Sequence, residues 1–171
     1  MDVALRLIDL PAMHPELLWE SIIAAAAAVL GPEGATPPYS FTRAIENVMG
    51  FGSDRCRFLI DPLGIAANRI AQVRRTYEPS RLVELAAIAL TGLALHHAGA
   101  HEIVDIAVRG RAADYLVDQA QHQLEIAGRS RRQDVEVAWR QRWERLSARP
   151  GGFYLCVTEF EGATGRLAFR P

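Results

Sequence analysis

Between Pro79 and Gly99 the chain reads "PSRLVELAAIALTGLALHHAG", a helical stretch that is apolar on nearly every side. A surface helix hides one apolar stripe, whereas a helix without a polar face must be wrapped by other elements. The rest of the chain therefore has to supply a sheet and further helices to cover it. Ser80 is placed to cap its start and Gly99 to end it. Glu84, one turn in, breaks the pattern: a carboxylate there needs a solvent-filled edge or a partner, because burying it alone is costly.

Three short β-like runs follow, "EIVDIAVRG", "ADYLVD" and "HQLEIAG". Next comes an arginine-rich helix, "RRQDVEVAWRQRWERLSAR", closed by "PGG", and then "FYLCVTEF" and "RLAFR" as a strand and its hairpin partner. Residues 79–171 thus read as helix, three strands, helix, strand, a mixed α/β arrangement with helices covering a sheet. Residues 1–78 read as a mainly helical extension packed on that core. "MDVALRLIDL" looks like a strand, but "HPELLWESIIAAAAAVLG" and "SFTRAIENVMGFG" are helical in propensity, with "GPEGATPP" as the loop between them. After the short apolar piece "CRFLI", a further helix is expected in "DPLGIAANRIAQVRRTYE", with Asp61 as its cap and Pro62 in its first position.

At 171 residues one compact domain is expected. The net charge of −1 exerts no overall pull on nucleic acid or membrane, so any such attraction has to come from local clustering. All nineteen basic residues are arginine. Schiff-base chemistry, a lysine general base and a lysine-bearing phosphate loop are thereby excluded. Cys56 and Cys156 stand far apart without metal-ligand spacing, which argues against zinc or a disulfide framework and makes a reducing cytoplasm the expected compartment. The apolar runs at 22–30 and 82–95 are too short to cross a bilayer, so no membrane association is expected.

The second and third β-like runs each carry an acid. Side chains alternate across a strand, so if Tyr115, Val117, Leu124 and Ile126 enter one core, Asp114 and Glu125 emerge together on the opposite face. Neighbouring carboxylates repel, and a divalent cation between them relieves that repulsion. Hard ions such as Mg2+ or Mn2+ accept such a pair, with water and a substrate phosphate completing the shell. Glu84 can supply a third oxygen ligand. The alternative is two solvated acids on the outside of a hairpin.

This order of elements, with Glu84 in the leading helix, "GRAAD" ending at Asp114 and "LEIAG" carrying Glu125, resembles the PD-(D/E)xK, restriction-endonuclease-like nucleases. The resemblance covers residues 79–171. It implies a restriction-endonuclease-like core and a metal held by Glu84, Asp114 and Glu125, with Asp114 and Glu125 as catalytic acids of phosphodiester hydrolysis in DNA or RNA. Two positions depart from the pattern. Ala113 replaces the proline before the aspartate, and Ala127 stands where the family has a lysine that stabilises charge on the phosphate. Arg129 returns to the same face and can neutralise phosphate charge, but it stays protonated and cannot act as a base. Two functional readings follow: a divalent-metal-dependent nuclease or a catalytically impaired descendant of one, and a non-catalytic nucleic-acid-binding or scaffold subunit.

Nucleic-acid contact is expected from Arg131, Arg132, Arg140 and Gln141 of the arginine-rich segment; the resemblance also implies a polar residue of this helix near the metal, for which Gln141 is the candidate, against its plain reading as an exposed side chain. Trp139 and Trp143, four apart, read as core anchors of that helix. The apolar N-terminal helices offer a surface for a protein partner or a second copy of the chain. His97 and His101 have metal-ligand spacing but straddle Gly99, and read better as helix-end groups near terminal carbonyls.

Overall fold

The computed structural model describes residues 1–107 and 114–171, with the side chain of Ile106 excepted. Eight strands form one mixed sheet: β1 (Asp2–Arg6), β2 (Tyr39–Val48), β3 (Gly52–Asp61), β4 (Ile103–Ile106), β5 (Tyr115–Val117), β6 (His122–Arg129), β7 (Phe153–Glu159) and β8 (Thr164–Arg170). Their order across the sheet is β1-β3-β2-β8-β7-β6-β5-β4. The pairs β1–β3, β2–β8 and β6–β7 are parallel and the others antiparallel. The helices are the single turn α1 (Leu10–Met13), α2 (Glu20–Leu30), α3 (Ala67–Thr76), α4 (Pro79–His97) and α5 (Val135–Ser147). Among the described residues no helix is long and apolar enough to cross a membrane.

The all-apolar helix is α4, and it is enclosed as its composition requires. Every residue from Leu85 to Leu95 is buried, between α2 and the sheet. The core on this side joins Leu90 and Leu93 of α4 to Phe41, Phe58, Leu124, Tyr154 and Phe169 from the strands. On the opposite face α5 lies over β7 and β8, where Trp139 and Leu146 pack on Leu155, Val157 and Ala168. The start of α4 differs in detail from expectation: Glu78 occupies the cap position and Pro79 begins the helix, leaving Ser80 inside the first turn.

Residues 1–78 are not the mainly helical extension that their propensities indicate. "SFTRAIENV" forms β2, pairing with β3 on one side and with β8 on the other, so both halves of the chain share one sheet. Phe41, Arg43 and Ile45 face the α2–α4 layer and are buried, while Thr42, Ala44 and Glu46 face away. An arginine at an inward position masks this alternation, and Ala44 and Glu46 favour a helix locally; the ladder on both edges overrides them. The helix expected from Pro62 starts later, at Ala67, because Asp61 ends β3 and its Oδ1 accepts the Leu63 N–H (2.8 Å) in a turn. α2 begins at Glu20, after Pro15, and its alanines at 24–28 are buried against α4 and α3. The alanine face of α2 is therefore covered within the chain.

His14 ties the N-terminal turn to both layers. Its Nδ1 accepts the Ile103 N–H (3.0 Å), and its Nε2–H donates to the Gly92 carbonyl (2.9 Å). A backbone N–H can only donate and a carbonyl can only accept, so the ring is the neutral Nε2–H tautomer. Burial pushes its pKa down, against the pull of the Gly92 hydrogen bond. A lowered folded-state value means that the unfolded chain binds the proton first: the stabilisation is complete above about pH 6.5 and is lost as pH falls below it. Urea unfolding between about pH 6.5 and 5 should therefore show stability falling by up to about 1.4 kcal/mol per pH unit from this proton, with a shallower slope in His14→Gln. Equal slopes in the two proteins would remove His14 from the acid response. His97, also pushed down by burial, contributes alike to both.

Candidate functional site

The β5–β6 hairpin pairs Tyr115 with Leu124 and Leu116 with Gln123, which sets Asp114 against Glu125 one step further on. Two backbone hydrogen bonds hold that end: Asp114 N–H to the Leu124 carbonyl (3.0 Å) and Ala107 N–H to the Asp114 carbonyl (2.9 Å). Val117, Leu124, Tyr115 and Ile126 enter the α4-side core, while Ala127 packs in the α5-side core, as strand alternation requires. Glu125, two residues before Ala127, belongs to the α5 side as well. Ala113 lies outside the described residues.

Neither acid is a free ligand. The Glu125 side chain is 6 % exposed and is held by two guanidinium groups of α5. Arg145 Nη2 donates to both carboxylate oxygens, and Arg142 Nε lies 2.9 Å from Oε1 without hydrogen-bond alignment. Burial pushes the Glu125 carboxyl up, with Arg145 first and then Arg142 pulling it back and Asp114 adding to the rise. Asp114 is exposed, and its Oδ2 accepts the Ile126 N–H (2.9 Å). The solvated-hairpin alternative therefore describes Asp114 but not Glu125.

Glu84 stands in the α4 layer, in an exposed ion pair with Arg81 one turn earlier (2.8 Å). Its helix touches the sheet closely at Gly128, where a Cβ would lie 2.7 Å from the Val83 carbonyl oxygen. That approach places Glu84 on the wall of a concavity of about 420 Å³ with Ser80, Arg129, Ser130, Arg131 and Gln133. Among the described residues no three His, Cys, Asp or Glu side chains gather closely enough to hold a metal ion. The expected trio of Glu84, Asp114 and Glu125 is thus not assembled around one point. A hard divalent cation needs open oxygen ligands, and both oxygens of Glu125 are taken by Arg145, so Glu125 as placed does not fit a Mg2+ or Mn2+ ligand.

Ala127, at the lysine position, is a packing residue between Trp139 and Val157. Arg129 is half-buried, with Nη1 donating to the Gly128 carbonyl (2.8 Å). Its positive charge adds to burial in pushing the Arg142 guanidinium down, as does that of Arg145, while Glu125 opposes them. Arg131, Arg132, Arg140 and Gln141 are exposed. Trp139 is a core anchor: it stacks on Trp143 (5.4 Å between rings) and carries Arg166 over its face at 4.0 Å. His97 is the last residue of α4, at the helix end where it was expected. His97 Nε2 lies 3.5 Å from Cys56 Sγ, while His101 sits between Asp118 (2.7 Å) and the Met49 carbonyl (3.0 Å).

Arg142 and Arg145, the two groups that hold Glu125, are not among the site residues expected from the sequence. A signal for Arg142 exists: 139, 142, 143 and 146 are spaced as one inward stripe, so an arginine at 142 requires a buried acid opposite. Comparison with family models, with curated proteins and with solved structures finds no match to this chain.

Proposed function

We propose that this chain is a catalytically impaired descendant of a restriction-endonuclease-like nuclease that acts as a non-catalytic, nucleic-acid-binding subunit. The reading is supported by the helix, three-strand, helix, strand order of residues 79–171, with α4 and α5 on opposite faces of β4–β8. The observation that carries the loss of catalysis is the capture of Glu125 by Arg142 and Arg145. A carboxylate so engaged neither ligates a cation nor accepts a proton from water. Ala127 leaves that face without a lysine, and no arginine replaces its capacity to lose a proton.

Cleavage assays on labelled DNA and RNA with Mg2+ or Mn2+ should show no turnover above background, and Glu125→Ala should leave that background unchanged. Binding of the same oligonucleotides should be present and should weaken steeply, by at least about tenfold, between about 50 and 200 mM salt as phosphate counterions are released. Divalent-dependent cleavage that disappears in Glu125→Ala would overturn the impaired reading. Absence of any binding would overturn the nucleic-acid role.

A further inference from the structure

We propose that Arg129, Arg142 and Arg145 form a seat for a phosphate oxyanion, in which fixed guanidinium charge does the work a bound cation would do. The source of that phosphate, a nucleic-acid strand, rests on the functional reading above; the seat itself rests on the geometry.

Like charges gather only where something offsets their repulsion. Arg142 and Arg145 converge on Glu125, and Arg129 lies four residues further along β6 on the same face as Glu125, its positive charge bearing on Arg142. Glu125 offsets one of the three positive charges. Asp114 is the second carboxylate near the cluster, and one of its oxygens is already engaged by the Ile126 N–H. Against these two carboxylates the three guanidinium groups leave one positive charge. Arg129 forms no ion pair among the described residues, and its one hydrogen bond, to a neighbouring carbonyl, leaves most of its donors free. A planar guanidinium fork matches the oxygens of a phosphate, and charge-assisted hydrogen bonds of this kind are the strong ones.

Room for the rest of the ligand lies alongside. Arg129 also forms part of the concavity of about 420 Å³, where Ser80, Ser130 and Gln133 contribute hydroxyl and amide donors. Glu84 and Asp134 line it too; Glu84 is held by Arg81, which keeps its charge from opposing the anion in full. Glu125 then acts as a positioning residue, fixing Arg142 and Arg145 in place so that little side-chain freedom is lost on binding.

The test uses the full chain and two probes: a fluorescein-labelled oligothymidylate of about 15 nucleotides by anisotropy, and inorganic phosphate by calorimetry. Arg129→Gln removes no carboxylate's partner, so the fold is expected to persist, with an unchanged thermal midpoint. That variant and Arg142→Gln should each weaken oligonucleotide binding by about tenfold, and Arg129→Gln should lower the slope of log affinity against log salt by about 1. Arg140→Gln, exposed on the same helix, should change affinity less than about twofold. Oligonucleotide binding unaffected by Arg129→Gln and Arg142→Gln overturns the seat and leaves the nucleic-acid reading standing. Phosphate binding lost in Arg129→Gln, with no oligonucleotide binding by the wild type, upholds the seat with free phosphate as its ligand and ends the nucleic-acid reading. Binding of neither probe overturns both.

Discussion

Replacing Arg142 and Arg145 together by methionine should destabilise the protein by about 3 kcal/mol at neutral pH, because it leaves a buried carboxylate with no counter-charge. Single removal is milder, since either guanidinium can still serve Glu125. The loss should depend on pH with a defined sign. Burial already pushes the Glu125 carboxyl up in the wild type, and without the arginines that rise is no longer opposed. A folded-state value above the unfolded one means that folding takes up a proton, so the variant is most stable near the ordinary glutamate range and loses stability as pH rises through the elevated value. The wild type should show the same sign with smaller amplitude. Adding Glu125→Gln to the double variant removes the ionisable group and should recover most of the loss. Urea unfolding of the three proteins at about pH 5 and 7 reads all of this. A double variant as stable as the wild type at neutral pH would mean that the clamp on Glu125 contributes nothing. Millimolar Mn2+ adds a second readout. Stabilisation of the double variant but not of the wild type is expected if the arginines are what closes these acids to a cation.

A comparably large effect is expected at Gly165, in β8. Arg43 in β2 is fully buried and reaches across β8 to β7, donating to Cys156 Sγ (3.0 Å), the Val157 carbonyl (3.3 Å) and Thr158 Oγ1 (3.0 Å). No ion pair joins it among the described residues, and burial pushes its guanidinium pKa down. Its path exists only because residue 165 has no side chain. A Cβ there would overlap the Arg43 guanidinium and lie 3.0 Å from the Val157 carbonyl oxygen. Gly165→Ala should cost about 3 kcal/mol, from overpacking together with lost hydrogen bonds to a charged group. Arg43→Met, which replaces an unpaired buried cation by an apolar chain of similar length, should cost about 1 kcal/mol or less. The double variant should then lose about 2 kcal/mol less than the sum of the singles, since the methionine can yield to the new methyl group. Additivity in chemical unfolding would place the clash elsewhere than at Arg43.

Several elements were legible because their chemistry is local. The apolar helix from Pro79, the hairpin runs after it and the final pair of strands all appear where alternation and turn residues put them. β2 was not legible, because a buried arginine at position 43 breaks its alternation and only the ladder with β3 and β8 makes a strand of it. The site shows the same division: strand parity correctly separates Glu125 and Ala127 from Leu124 and Ile126. Parity says nothing of what lies across the gap.

By itself the sequence determined that a helix with no polar face had to be enclosed, that Asp114 and Glu125 would meet across a hairpin, and that no lysine would be present to stabilise a phosphate. Tertiary structure alone decided that α5 lies over Glu125 and delivers two guanidinium groups to it, while Glu84 is drawn to Arg81 in the other layer. The reason is physical: a residue's face on its own strand or helix follows from a local period of two or about 3.6. Its partner, and with it its charge balance, depends on which distant element the sheet brings within a few ångströms.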